Sequence, residues 1–343
     1  MDVKQIINEF LSLKGTLPKD NTYNVVSLGR LPHKLGASKE FFPMFFVATN
    51  DALNNVPDTI RELLSVEYDM ECTVNETNTD SALRKFAIIT LRSNDEHLQT
   101  YFIEIFIMML MKMPPHPSKQ ELSTEVERLV AIFSALASTP RKKIQGLWAE
   151  LMVIDQSLDP HTLVNAWHTI PSSKYDFTLG RDKIEVKSTS SEERIHRFSL
   201  DQLNPSPNSR LLIASVTVRE SGENVNGLSV KNIYDKICNR LLDTEDKIRL
   251  YTIIAQTLGN DINKIDSVYF DYVTAVDSLA YYDYQIVPRI LKQDVPANVT
   301  DVKFVCNITK LHDIKSTAST FNKGDSQLFN LSLIHISEPT RPY

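Results

Sequence analysis

The sequence predicts a mixed α/β protein, and three observations carry that prediction. Short apolar or β-branched runs of strand length alternate with longer helical patterns along its 343 residues. Hydrophobic residues make up 42% and charged residues 23%, ordinary values for a chain that builds a sizeable core. The sequence holds only nine glycines and shows no low-complexity run or internal repeat, which argues against a fibrous or disordered chain. Two or three compact units suit this length.

Residues 44–49 and 86–92 read as strands, and 65–74, which alternates in part, as another. Residues 94–113 form a long helix with Asn94 or Asp95 as its cap. Its apolar part, 101–113, contains Glu104 and Lys112 and stops at Pro114-Pro115, so it is too short to span a bilayer and reads as a buried helix. Ser118 opens the next helix, to about 137, with Glu121 placed as in a capping box, and Thr139-Pro140 closes it. From 144 to 242 the pattern is helix, hairpin, short helix, strand, helix. A helix over 245–258 and strand-like runs at 267–276 and 303–308 follow. The expected organisation is an N-terminal α/β region (1–113), a helical connector (114–140), a domain over 141–314 with a C-terminal α/β extension, and a tail (315–343). Within the tail, LSLIHISEPTR (331–341) looks like a translated sequencing-library adapter. The natural C-terminus is therefore expected to be missing, and His335 and Glu338 carry no functional meaning.

Cys72, Cys238 and Cys306 lie far apart with no metal-ligand spacing and read as reduced core thiols. The N-terminus lacks a signal-peptide pattern, so a cytoplasmic protein is expected. A formal net charge of −6 does not suggest binding of nucleic acid by bulk electrostatics; any such attraction must be local, metal-assisted or supplied by a partner.

The chemistry concentrates between 144 and 202. On a helix from Ile144 to Ile154, Leu147, Leu151 and Ile154 make an apolar stripe, and Glu150 falls inside the apolar arc. A carboxylate there needs a partner, either a metal ion or a buried Arg or Lys. Farther on, two alternating runs flank Gly180-Arg181, a pair suited to a type II′ hairpin turn. In that register Leu179 pairs with Asp182, and Asp176 lies opposite Glu185. Two like charges so close require a cation between them. The period of two puts Glu185 and Lys187 on one face, with Ile184 and Val186 on the other.

Hard oxygen ligands select Mg2+ or Mn2+, and such an ion beside an amine suits phosphodiester hydrolysis. Lys187 can orient the attacking water, and the Val186 carbonyl is a further candidate ligand. The acid-x-Lys triplet alone means little, because it also starts at Asp2, Glu245, Asp301 and Asp313. Only the Glu185 copy has a glycine hairpin, an opposed Asp and a preceding helical carboxylate.

Gly146-Leu-Trp-Ala-Glu-Leu, Trp167, Tyr175-Asp-Phe, Ile184-Glu-Val-Lys-Ser and Phe198-Ser-Leu-Asp-Gln-Leu together resemble the PD-(D/E)XK proteins of prokaryotic defence loci, a family catalogued largely as a domain of unknown function. The likeness runs on through Ile286-Val-Pro-Arg-Ile and Val295-Pro-Ala-Asn-Val, covering roughly residues 20–314. It implies a restriction-endonuclease-like core with a central mixed sheet flanked by helices. It also implies a divalent metal held by Glu150, Asp176 and Glu185, with Lys187 as the catalytic amine. DNA as substrate, and ATPase and nuclease partners acting against phage, follow from the same resemblance. Tyr175 replaces the proline of the family-name motif.

Gln202, Ser188 and Arg197 are candidate substrate contacts. For Gln202 the alternative is a hydrogen bond at a helix start capped by Ser199. Trp167 is a core residue or a base-stacking platform. Arg141, Lys142, Lys143, Arg181, Lys183, Arg194, His196 and Arg197 can neutralise phosphates or be solvated, and His161 and His168 lie in the connection before the hairpin. Three functions remain open: an active nuclease, a catalytically silent nucleic-acid-binding or scaffolding subunit, or an α/β protein whose Asp176, Glu185 and Lys187 form a salt-bridge ladder.

Overall fold

In the computed structural model the described residues are 3–16, 22–50, 56–61, 63–76, 82–136, 139–140, 142–168, 173–314 and 326–332. Arg141 and all of the adapter-like segment beyond 332 lie outside them. The chain divides into two compact units, Met1–Ser138 and Thr139–Tyr343.

The first unit begins with helix α1 (Val3–Ser12), which buries Ile6 and Phe10. Strands β1 (Thr22–Ser27), β2 (Lys34–Ala37), β3 (Pro43–Val47), β4 (Thr59–Ile60), β5 (Leu64–Glu76) and β6 (Ala82–Leu91) follow. The pairing order is β1-β2-β3-β6-β5-β4, and β1 also pairs in parallel with β5. Five strands therefore close on themselves, leaving β4 outside the ring. The expected strands at 44–49, 65–74 and 86–92 are β3, β5 and β6.

Helix α2 (Glu96–Lys112) is capped by Asp95, whose carboxylate accepts from the amides of His97 and Leu98. It buries Tyr101, Phe102, Ile103 and the apolar positions that follow. Among the described residues no helix is long and apolar enough to cross a membrane. Helix α3 (Lys119–Leu136) starts with the expected capping box: the Ser118 amide donates to Glu121 Oε2 at 2.8 Å and the Glu121 amide to Ser118 Oγ at 3.2 Å.

The second unit opens with α4 (Ile144–Asp155), in which every residue from Leu147 to Asp155 is buried. The apolar stripe read from the sequence is thus part of a helix enclosed on all sides. Helix α5 (Pro160–Ala166) lies where only a connection was expected. The Asp159-Pro160 pair signals it, since Asp159 caps the helix and proline suits its first turn.

Strands β7 (Phe177–Leu179) and β8 (Asp182–Thr189) form the predicted hairpin in the predicted register, with Leu179 opposite Asp182. Gly180 has φ 57° while Arg181 stays out of the left-handed region, as a type II′ turn requires. Strand β9 (Ile195–Ser199) comes next. The short helix expected after Ser199 is a hydrogen-bonded turn, because Pro205 follows too closely for a helix to propagate.

Strand β10 (Arg210–Thr217) lies parallel to β8. The small strands β11 (Glu220–Ser221) and β12 (Gly227–Ser229) lead to helices α6 (Val230–Arg240) and α7 (Thr244–Leu258). The stretch 267–276, expected as a strand, is strand β13 (Tyr269–Asp271) followed by helix α8 (Tyr272–Ser278). Asp271 starts that helix by capping the Thr274 amide. Strands β14 (Ala280–Asp283) and β15 (Lys303–Asn307) and helix α9 (Gln327–Ser332) complete the unit.

The central sheet has order β14-β10-β8-β7, with β10–β8 parallel and the outer pairs antiparallel. This is a mixed sheet flanked by helices, the architecture expected from the sequence. A separate ribbon, β15-β9, turns Phe198 and Cys306 into a core with Leu211, Ile213 and Tyr282. Cys72, Cys238 and Cys306 are free thiols.

Candidate active site

The hairpin and α4 bring the predicted acids together. Glu150, Asp176 and Glu185 are 2%, 6% and 4% exposed, which makes them costly as charges unless partnered. Asp176 follows the last pair of the ladder, Phe177–Ile184, but departs from it. Its carbonyl accepts from the His168 amide at 2.9 Å, and its Oδ2 accepts from the Val186 amide at 2.8 Å. Its carboxylate therefore folds over β8 beside Glu185, where the sequence placed it in a plain cross-strand pair.

The partner demanded by Glu150 is a lysine. Lys142 Nζ lies 2.5 Å from Glu150 Oε1 and 2.5 Å from Asp176 Oδ1. An ammonium thus sits where two carboxylate oxygens converge, and among the sequence alternatives for Glu150 this is the protein's own cation. Each acid is fixed from its other side: Trp167 Nε1 donates to Glu150 Oε2 at 2.8 Å, as the Val186 amide does to Asp176 Oδ2. Trp167 is 1% exposed and stacks on Phe177, so it is a core residue and offers no face to a base.

Glu185 and Lys187 share a face as the strand period requires. Lys187 Nζ is 2.7 Å from Glu185 Oε1 and lies 5.1 Å from the centroid of the Phe198 ring. Gln202 makes the capping contacts that were its second alternative, and it also reaches Glu185. Its Oε1 accepts from the Ser199 amide at 3.1 Å and its own amide donates to Ser199 Oγ at 3.2 Å, a capping arrangement on the turn. Its Nε2 donates to Glu185 Oε1 at 2.6 Å. Ser188 Oγ accepts from Gln145 Nε2 at 3.4 Å, on the edge of the same cluster. Arg197 lies on the exposed face of β9, whereas its neighbours His196 and Phe198 turn inward. His161 belongs to another locality, where it contacts Asp246.

The electrostatics show an unbalanced cluster. Burial and the charge of Asp176 push the Glu150 carboxyl well above the usual range, against the pull of Lys142 and Trp167. Burial, then Asp176, likewise raises Glu185. Asp176 is itself buried, but Lys142 and the Val186 amide outweigh that and hold it below its ordinary value. Two lysines therefore do not fully offset three buried acids. A divalent cation would relieve the remaining repulsion and draw the protons off.

The donor set fits such an ion. Glu150, His168 and Asp176 each offer a ligand atom, all within 4.8 Å of one another, and His168 Nδ1 is 3.7 Å from Glu150 Oε2. His168 and Lys142 are the residues that sequence reasoning did not place in the centre. His168 follows Trp167 directly, and only the pairing of Trp167 with Phe177 turns this connection toward the acids.

The model of the family described as "Putative PD-(D/E)XK family member, (DUF4420)" matches residues 41–309. The chain belongs to this family. Membership in this PD-(D/E)XK family places the protein among nuclease-type folds, whose members typically use divalent metals. The match spans both units and contains every candidate site residue. No curated protein and no solved structure matches the chain.

Proposed function

We propose that this PD-(D/E)XK protein hydrolyses phosphodiester bonds in nucleic acid, as a metal-dependent DNA endonuclease working in the cytoplasm within a prokaryotic anti-phage defence system. The observation that carries this reading is the convergence of Glu150, Asp176 and Glu185 in one buried cluster beside Lys187. Glu150 and Asp176 would hold a Mg2+ or Mn2+ ion with Glu185, and the Val186 carbonyl and His168 are further candidate donors. The ion supplies Lewis acidity at the phosphate and acidifies a water.

This chain's own residues do the rest. Lys187 brings a positive charge to the edge of the cluster, where it can orient the attacking water and offset charge developing on the phosphate. Gln202 keeps Glu185 and Lys187 in register by hydrogen bonding to both, at 2.6 and 3.4 Å. Buried packing behind the acids, from Trp167 and Phe177, limits their motion. Ser188 and Arg197 are the proposed nucleic-acid contacts at the rim. With a net charge of −6, binding depends on this local site and on partners, for which a defence-locus ATPase and further nucleases are proposed.

A second reading has its own observation. Lys142 already bridges two of the acids, as it would in a catalytically silent subunit that keeps the fold to bind nucleic acid or scaffold a complex. Plasmid and linear DNA incubated with Mg2+ or Mn2+ separate the two. Cutting that disappears in Lys187→Ala, with folding retained, supports the nuclease; a drop of about 10²-fold or more is the size expected for removing such a charge. Binding without cutting supports the silent subunit.

A further inference from the structure

We propose that Lys142 is a displaceable internal cation, holding Glu150 and Asp176 together until a divalent metal ion takes its place. This inference rests on the reading of those acids as metal ligands, and it adds a role for a residue outside the acid-x-Lys motif.

The geometry separates an anchored part from a removable one. Glu150 and Asp176 are nearly inaccessible, and each has its second oxygen fixed by the Trp167 indole or the Val186 amide. Glu150 Oε1 and Asp176 Oδ1 would therefore stay aimed at one point if Lys142 left. Lys142, by contrast, reaches in from the segment before α4. Its side chain is 36% exposed, and the following residue, Lys143, has extended backbone.

Charge and coordination decide which cation wins. An ammonium is a compact monovalent charge on a flexible stem. It brings a single positive charge to two carboxyl groups, and toward a neighbouring imidazole it can only donate a hydrogen bond, not take the nitrogen as a ligand. A divalent ion neutralises both carboxylates and is within reach of His168, whose ligand atom lies within 4.8 Å of theirs. A nitrogen in the set favours Mn2+ over the harder Mg2+. Lys142 thus keeps like charges from forcing the site apart before a metal binds, at the cost of competing with the metal for it.

Two measurements on the full chain without nucleic acid test this. First, Lys142 is acylated with a water-soluble acetyl ester, with and without Mn2+, and the rate at Lys142 is followed by peptide mass spectrometry against the exposed Lys39. Lys142 is slow alone and faster with Mn2+, while Lys39 is unchanged. Second, calorimetric titration shows Lys142→Met binding Mn2+ roughly five- to tenfold more tightly than wild type, the factor expected from removing part-exposed competing ion pairs.

Mn2+ binding with no change in Lys142 acylation overturns the inference and leaves the metal site standing, as does weaker binding by Lys142→Met. Absence of Mn2+ binding in both proteins overturns the metal reading and this inference with it. Should Lys142→Met not fold, the acylation of wild type decides.

Discussion

Trp167 donates its indole N–H to Glu150 at 2.8 Å across 17 residues of sequence, so a core aromatic sets the angle of a buried acid. The other oxygen of Glu150 is thereby left to face Asp176 through Lys142. The same side chain packs against Phe177, whose strand carries the hairpin. One residue thus couples the packing of the core to the aim of the site.

Replacing Trp167 with Phe keeps most of the packing and removes the donor. Glu150 Oε2 then loses its hydrogen bond in a buried place, a loss of about 1–3 kcal/mol in unfolding free energy. Urea denaturation measures it. Mn2+ affinity should fall with it, because the carboxylate is no longer held; unchanged affinity would show that Glu150 orients itself.

Gln202→Ala removes contacts of two kinds, one within the turn and two, to Glu185 and Lys187, within the site. The bond that its Oε1 accepts from the Ser199 amide is worth about 1 kcal/mol and affects stability alone, while the Gln202 backbone amide keeps its bond to Ser199 Oγ. The bond to Glu185 bears on the site, and its loss should lower cleavage about 10- to 100-fold, as when a supporting partner of a metal ligand is deleted. Comparing turnover with the unfolding midpoint tells the two apart. An intact cleavage rate in a slightly less stable protein would reduce Gln202 to a turn residue.

Arg194 ties three parts of the second unit together. Its guanidinium donates to the Ser215 carbonyl and hydroxyl, both at 2.8 Å, and to the Ser278 carbonyl at 2.5 Å. Arg194→Ala leaves these acceptors, including a fully buried Ser215, without that donor, and should cost on the order of 2–4 kcal/mol. This residue was a candidate phosphate ligand in the sequence; its bonds make it a brace. Chemical denaturation gives the loss, and a stable Arg194→Ala protein with weakened DNA binding would reverse that assignment.

Acid should weaken both units through two buried histidines. Burial, then a neighbouring His116, lowers His33 to about 4, and burial, then Lys187 and Arg194, lowers His196 to about 4. Each is neutral when folded and takes up a proton more readily when unfolded. Between about pH 6.5 and 4 the unfolded chain binds more protons, so stability falls as pH falls through that window. His33 accepts from the Ala48 amide through Nδ1, which a second proton would block. His33→Gln and His196→Gln should each flatten part of the pH dependence of the unfolding midpoint between pH 4 and 6.5. A midpoint that does not move across that range would count against buried neutral rings.

Local chemistry was legible in the sequence wherever neighbours decide the outcome. The II′ turn at Gly180-Arg181 set the hairpin register, because that pair of residues admits few other turns. The strand period put Glu185 and Lys187 on one side, and the caps at Asp95 and Ser118–Glu121 marked their helices. Local pattern failed where chain length or a distant partner intervened. The turn after Ser199 looks like a helix start until Pro205 ends it, and 267–276 looks like a strand until Asp271 caps a helix inside it.

The acid-x-Lys motif, its opposed aspartate and the helical glutamate are linear facts, and they were enough to say that a cation must join them. Which cation does so is a three-dimensional fact. Lys142 stands eight residues from Glu150 but 34 from Asp176, and His168 and Trp167 reach the site only because their connection pairs with β7. Spacing along the chain constrains contacts within one turn or one hairpin, where few dihedral angles intervene. The meeting of a helix, a loop and a sheet edge is decided by packing, which sums contacts from the whole second unit.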